Sequence, residues 1–152
     1  MTVMGPFSGS PAEGHEMLER LGMIGSGGIT ATVLETLACE LPAPLSRFDC
    51  LVRLGGRAAA EALLQRYRGR VADSVVAHED LPALLECRPQ MVIECAGHSA
   101  VREHGPAVLV AGIDLAVISI GALSDEVLHT ELLQRARDAR APLSAARSCW
   151  WH

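Results

Sequence analysis

Gly25, Ser26, Gly27 and Gly28 follow the apolar run 21–24 directly and lead into a segment where Ile29, Val33 and Leu37 recur every four positions. A strand that turns through glycines into a helix offers backbone amides, and the positive end of the helix dipole, to whatever occupies the turn. Anion binding is the chemistry this favours, and the G-x-G spacing of Gly25 and Gly27 suits the diphosphate of a nicotinamide dinucleotide. Gly25 permits the tight turn, and Gly27 lets amides reach phosphate oxygens with no Cβ between. A third glycine would fall at Thr30, whose side chain is small enough for moderately close helix–strand packing. Because any tight strand-to-helix turn wants glycine, G-x-G gains its weight from this position.

Three further places add candidates. The second apolar run, 48–53, ends in Arg53, where an NAD-preferring site would carry an acid for the adenosine ribose. An arginine suits a 2′-phosphate, so NADP or mixed use is expected, against the alternative of a solvated surface arginine. Asp49 lies too early in the run to be that acid. The fourth run ends in Cys95, Ala96, Gly97 and His98, where Ala96, Gly97 and the backbone of His98 could approach the nicotinamide side. The His98 imidazole is expected to cap or pack rather than to act as acid or base. The fifth run ends in Ser119, Ile120, Gly121, Ala122, Leu123 and Ser124, and Ser119, Gly121 and Ala122 are small enough for a nicotinamide ring to lie on them. Cys50 and Cys95 are expected to be inert core residues, and His104 and His129 surface ones.

The elements that must position these groups alternate. Strands are expected at 21–24, 48–53, 73–77, 91–95 and 115–120. Helices are expected from 29 to the prolines at 42 and 44, over 57–67, from Asp80 through Pro82 to about Pro89, from 98 to about 111, and from Ser124. Ser124 is the expected N-cap of the last helix, with Asp125 and Glu126 in its positive first turn and Leu128, Leu132 and Ala136 on one face. Apolar strands without polar alternation point to a parallel sheet covered on both faces. The reading is an α/β, Rossmann-like doubly wound single domain at 20–140, a loose extension at 1–19, partly helical near Glu16, and an atypical tail at 141–152.

Composition excludes several alternatives. Of the 152 residues, 49% are hydrophobic and 20% charged, a globular balance. Aromatics at 3%, a net charge of -5 and no basic cluster argue against nucleic acid. All 13 basic residues are arginine, so no lysine Schiff base is available. Cys39, Cys50, Cys87, Cys95 and Cys149 form neither a disulfide framework nor a metal-binding spacing, and the first basic residue is Arg20. A cytoplasmic protein without a resident metal is expected. The most apolar stretch, 107–123, is broken by Gly112 and Asp114 and reads as helix end, turn and buried strand rather than a membrane span.

Glu94-Cys95-Ala96-Gly97-His98 and Ile118-Ser119-Ile120-Gly121-Ala122-Leu123-Ser124 together resemble motifs of the bacterial L-aspartate dehydrogenase family. Met23-Ile24-Gly25-Ser26-Gly27 and Val101-Arg102-Glu103-His104-Gly105-Pro106-Ala107 extend the likeness over about 21–140. The resemblance implies oxidation of L-aspartate at its amino-bearing carbon to iminoaspartate, with hydride passing to NAD or NADP, a reaction linked to NAD biosynthesis. It implies a diphosphate site at the glycine turn and a cofactor contact at Ala122. In the family a second domain holds the substrate pocket and the catalytic histidine. Here Trp150 and Trp151 close an abruptly different tail, which suggests a truncated or frameshifted product. His152 does not match the catalytic histidine, and no catalytic residue is assigned. The expected behaviour is dinucleotide binding without turnover, L-aspartate being a partner only if a substrate domain completes the site, with self-association through an exposed apolar face. Two alternatives stand: a fragment of a homoserine-type or other amino-acid dehydrogenase, and a non-catalytic nucleotide-sensing module docking through its tryptophans.

Overall fold

The computed structural model describes residues 17–25 and 27–145. Most of the expected N-terminal extension, Ser26, and the tail from 146 with Cys149, Trp150 and Trp151 lie outside the described residues. The described chain alternates strand and helix: β1 (Arg20–Ile24), α1 (Gly28–Glu40), β2 (Leu45–Leu51), α2 (Arg57–Gln65), β3 (Ala72–His78), α3 (Leu81–Glu86), β4 (Met91–Glu94), α4 (His98–Val110), β5 (Asp114–Val117), a 3-10 helix (Ile120–Ser124), α5 (Glu126–Ala139) and β6 (Leu143–Ala145). All strand pairs are parallel, in the order β3-β2-β1-β4-β5-β6. This is the doubly wound arrangement, and the chain reverses its direction of travel across the sheet between β1 and β4.

Side-chain alternation along the strands builds two cores, one on each face. Leu21, Met23, Phe48, Cys50 and Ile93 face Leu34, Leu37 and Leu64 of α1 and α2. Ile24, Leu51, Val92, Leu115 and Val117 face Leu84, Val101, Leu109 and Leu132 of α3, α4 and α5. Burial on both faces is why the strands read as apolar runs. Gly105 of α4 lets α5 approach, since a Cβ there would come within 3.0 Å of Leu132 Cδ2. Among the described residues no helix is long and apolar enough to cross a membrane.

Several boundaries differ from the sequence reading. β2 begins earlier and stops at Leu51, leaving Arg53 in the following loop, where its carbonyl accepts from Gly56 N at 2.8 Å. β5 stops at Val117, and the chain from Ile120 coils into the 3-10 helix instead of extending the strand. β6 was not expected: three residues carry little periodicity, and their order comes from pairing Leu143–Ala145 with Leu115–Val117. Asp80 caps α3 through Ala83 N at 2.8 Å, with Pro82 in the first turn as expected.

The cap of α5 is Asp125, not Ser124. Asp125 Oδ1 accepts from Val127 N at 3.0 Å and Leu128 N at 3.2 Å, while Ser124 Oγ donates to the Gly121 carbonyl at 2.6 Å. Arg102 of α4 donates to Asp125 Oδ2 at 2.8 Å. The Leu128 amide first, then Arg102, holds the Asp125 carboxyl below the ordinary aspartate range. A depressed folded pKa contributes stability above the unfolded value of about 3.9, lost as pH falls through the folded value. Asp125→Ala should therefore melt lower than the parent at neutral pH. In thermal melts from pH 7 to pH 2 the two curves should converge only at the acid end.

Candidate functional site at the switch point

Strand direction brings the loops after β1, β2, β3, β4 and β5 to one edge of the sheet. The β1 and β4 loops meet where the winding reverses, and a crevice there is the expected ligand position in such sheets.

Gly25 has φ +120, a backbone region open to glycine and costly for other residues. A Cβ added to it would lie 3.2 Å from Ala96 Cβ and 3.3 Å from Ala96 Cα and N. Gly25 is thus required twice, by its dihedral and by the closeness of the β4 loop. Its amide donates to Leu51 O at 2.9 Å, and Cys50 Sγ donates to its carbonyl at 3.0 Å, anchoring the turn to β2. Burial, reinforced by Cys95 and Asp49, pushes the Cys50 thiol up to about 12. Burial also raises the Cys95 thiol, so both cysteines are packing groups and not nucleophiles.

Beyond Gly25 the turn opens. Cβ atoms at Gly27 and Gly28 would meet nothing within 4 Å. Gly27 is the N-cap of α1 with no side-chain cap, and the first turn carries no acid. The first amides of a helix have no intrahelical acceptor, so this end presents donors and a partial positive charge to an anion. Thr30, in place of a third glycine, is buried and faces Cys95 of the β4 loop, Oγ1 to Sγ 3.6 Å. A small sulfur side chain opposite is what lets a threonine take that position. Ile29 is 54% exposed beside the turn.

The β4 and β5 loops are joined by Glu94, a fully buried carboxylate that sequence reasoning quoted as motif but gave no role. Its Oε1 accepts from Ala96 N at 2.7 Å, Gly97 N at 2.9 Å and Ser119 Oγ at 2.9 Å, and its Oε2 from Ser119 N at 3.2 Å. Met91, Val92 and Ile93 before it carried the only available signal: an acid closing an apolar strand must find donors, because burying it without them is prohibitive. Here it finds them in the two loops nearest the switch point.

Gly97, with φ +122, caps α4, and His98 opens the helix. The exposed His98 ring lies against Gly121, where an added Cβ would sit 2.5 Å from Nε2 and 2.7 Å from Cε1. His98 thus packs across the two loops, as expected. Ala122 is buried, its methyl part of the core between α4 and α5. Arg53 is exposed in the β2 loop. The structure brings Gly25, Ala96, Gly97, His98, Ser119 and Gly121 into one linked set, with Gly27, Gly28 and Ile29 at its open side. His104 and His129 are half-buried residues of α4 and α5. Asp49 sits within β2, paired with Arg47 and His78, away from the strand end.

Residues 25–144 match the family described as "Homoserine dehydrogenase, NAD binding domain". L-aspartate dehydrogenase 1 of Bordetella parapertussis is 38% identical over 122 residues, 80% of this chain and 42% of that protein. L-aspartate dehydrogenase of Ruegeria pomeroyi is 37% identical over 129 residues, 85% of this chain and 41% of its own length. The chain therefore spans less than half the length of these relatives. The aspartate dehydrogenase structure from Thermotoga maritima superposes with a TM-score of 0.53 at 18% identity, covering 86% of this chain and 46% of that one. GenD2 from gentamicin A biosynthesis, solved with NAD, gives 0.65 at 16% identity, over 86% of this chain and 35% of its own. At those identities the structural likeness concerns the fold.

Proposed function

Because the chain belongs to the family of homoserine dehydrogenase NAD-binding domains, we propose that it is the dinucleotide-binding part of an L-aspartate dehydrogenase. The observation that carries the reading is the close seating of Gly25 on Ala96 beneath an uncapped helix start, in a chain 38% identical to an L-aspartate dehydrogenase. The amides of Gly27, Gly28 and Ile29 hold the diphosphate. Gly97 and His98, with Ser119, Gly121 and the backbone of the buried Ala122, border the nicotinamide. The bound dinucleotide supplies the hydride acceptor for the amino-bearing carbon of L-aspartate.

This chain alone binds the dinucleotide and does not turn over aspartate. Hydride transfer needs the substrate carbon fixed near contact distance and a base for the amine proton. Among the described residues no arginine pair is placed to clamp two substrate carboxylates over the site. The family's homoserine dehydrogenase description favours a second reading, another amino-acid dehydrogenase, which differs only in the substrate.

Titrating the chain with NADH and NADPH while following reduced-nicotinamide fluorescence tests the proposal. Saturable enhancement at one equivalent is expected, and its absence with both removes the site. Arg53 is proposed to meet the 2′-phosphate of NADP. Arg53→Asp should then move the NADH-to-NADPH affinity ratio about tenfold toward NADH, the lower end of what one charge-assisted hydrogen bond contributes. An unchanged ratio would take Arg53 out of the site. Aspartate-dependent NADH formation by the chain alone would refute its inactivity.

A further inference from the structure

Asp49, His78 and Cys87 converge from β2, the end of β3 and the C-cap of α3, with one ligand atom from each lying within 4.8 Å of the others. His78 Nε2 is 2.7 Å from Asp49 Oδ1 and 3.7 Å from Cys87 Sγ. Ligand-to-ligand edges around tetrahedral zinc are about 3.3–3.6 Å, from bonds of about 2.0 Å to nitrogen or oxygen and 2.3 Å to sulfur. The two His78 edges therefore need only sub-ångström adjustment, and the Asp49–Cys87 edge, within 4.8 Å, closes by no more than about 1.3 Å. The Asp49 and His78 side chains are 2% and 13% exposed, so the donors are fixed by the fold.

A buried aspartate needs only Arg47, which donates from Nε to Oδ2 at 2.7 Å and from Nη2 to Oδ1 at 3.0 Å. The imidazole adds a contact to the same Oδ1, and the Cys87 thiol donates to the Ala83 carbonyl at 3.4 Å, which holds both donors beside Asp49. Arg47 Nη2 also lies 3.3 Å from Cys87 Sγ. The guanidinium thus rests on the same oxygen and sulfur that a metal cation would take, and its side chain is 36% exposed, free to turn outward. Sequence spacing offered no metal motif because the three residues meet only through strand pairing and the seating of α3.

We propose that Asp49, His78 and Cys87 form a zinc-class metal site, separate from the dinucleotide crevice, in which Arg47 competes with the ion. Carboxylate, imidazole and thiolate are the donor set of borderline-soft divalent cations. On binding, the Cys87 S–H bond breaks, its proton leaves to solvent, a metal–sulfur bond forms, and water fills the fourth position. No redox change is involved.

Cobalt(II) added to the metal-stripped full chain under a phosphine reductant is the probe. One equivalent should bring up a near-ultraviolet sulfur-to-cobalt band with tetrahedral visible bands, and zinc should bleach both. Cys87→Ser should abolish the sulfur band, His78→Gln should weaken binding at least tenfold, and Arg47→Met should tighten it. Far-UV circular dichroism reports whether each variant is folded. Should Cys87→Ser unfold, zinc protection of Cys87 against alkylation in the parent chain, read by mass spectrometry, replaces it. Absence of a stoichiometric sulfur band, a band that survives in folded Cys87→Ser (pointing to Cys39 or Cys149), or unprotected Cys87 would overturn the proposal. NADH titration stands apart from all of these, so neither reading can fail in the other's place.

Discussion

Glu94→Ala should lower the melting temperature by about 10 °C and remove measurable NADH binding. Three backbone amides and the Ser119 hydroxyl give up their acceptor together. A buried donor left without a partner costs about 1–3 kcal/mol. Water reaching the partly exposed loops offsets some of this, leaving about 3–4 kcal/mol, at the upper end for a single substitution. For a chain of this size each kcal/mol moves the midpoint by about 2–4 °C. Glu94→Gln separates positioning from stability. It can keep one oxygen for Ala96, Gly97 and the Ser119 hydroxyl, but turns an amide NH2 toward the Ser119 N–H. A drop of only about 3–5 °C is expected, with NADH affinity still reduced about tenfold at temperatures where the variant is fully folded. If folded Glu94→Gln binds NADH like the parent, the carboxylate supports the loops without setting their geometry for the ligand.

Gly25→Ala is the second large effect. The positive φ costs about 1–3 kcal/mol for a residue with a Cβ. The methyl would also press on the backbone and Cβ of Ala96 at 3.2–3.3 Å, so the β1 and β4 loops must part. NADH affinity should fall at least tenfold, with thermal stability lower as well. Ala96→Gly in the same chain removes the contact at Cβ but neither the backbone contacts nor the dihedral. The double variant should recover part of the stability and little of the affinity. Parent-like NADH affinity in Gly25→Ala would show that the ligand does not use this turn.

The alternation of elements was legible because the central strands are buried on both faces and the helices on one. The apolar run 91–93 reflects that burial, but of Ile29, Val33 and Leu37 only Leu37 is buried: the core face of α1 is Thr30, Leu34 and Leu37, and Ile29 is exposed beside the turn. The glycine turn was legible because Gly25 answers a local demand, a positive φ directly after a strand. What could not be read depends on partners distant in the chain. Glu94 takes its meaning from Ser119, 25 residues away. Ser124 and Asp125 are both good capping types, and the backbone path out of the 3-10 helix chose between them. β6 exists by virtue of β5 beside it. Asp49, set aside as too early in its strand, acquired neighbours only when β3 and α3 were laid against β2.

The parallel run of β6 also governs how the molecule can be handled. Leu143–Ala145 is in register with Leu115–Val117, so the polypeptide reaches Ala145 travelling toward the rim that holds Ala96 and Ser119, while Met17–Glu19 enter β1 from the opposite rim. A reporter or affinity handle joined at Ala145 would start from the rim that carries the crevice, whereas one joined at Met17 starts from the opposite rim. Immobilisation for nucleotide assays should therefore use the front of the chain.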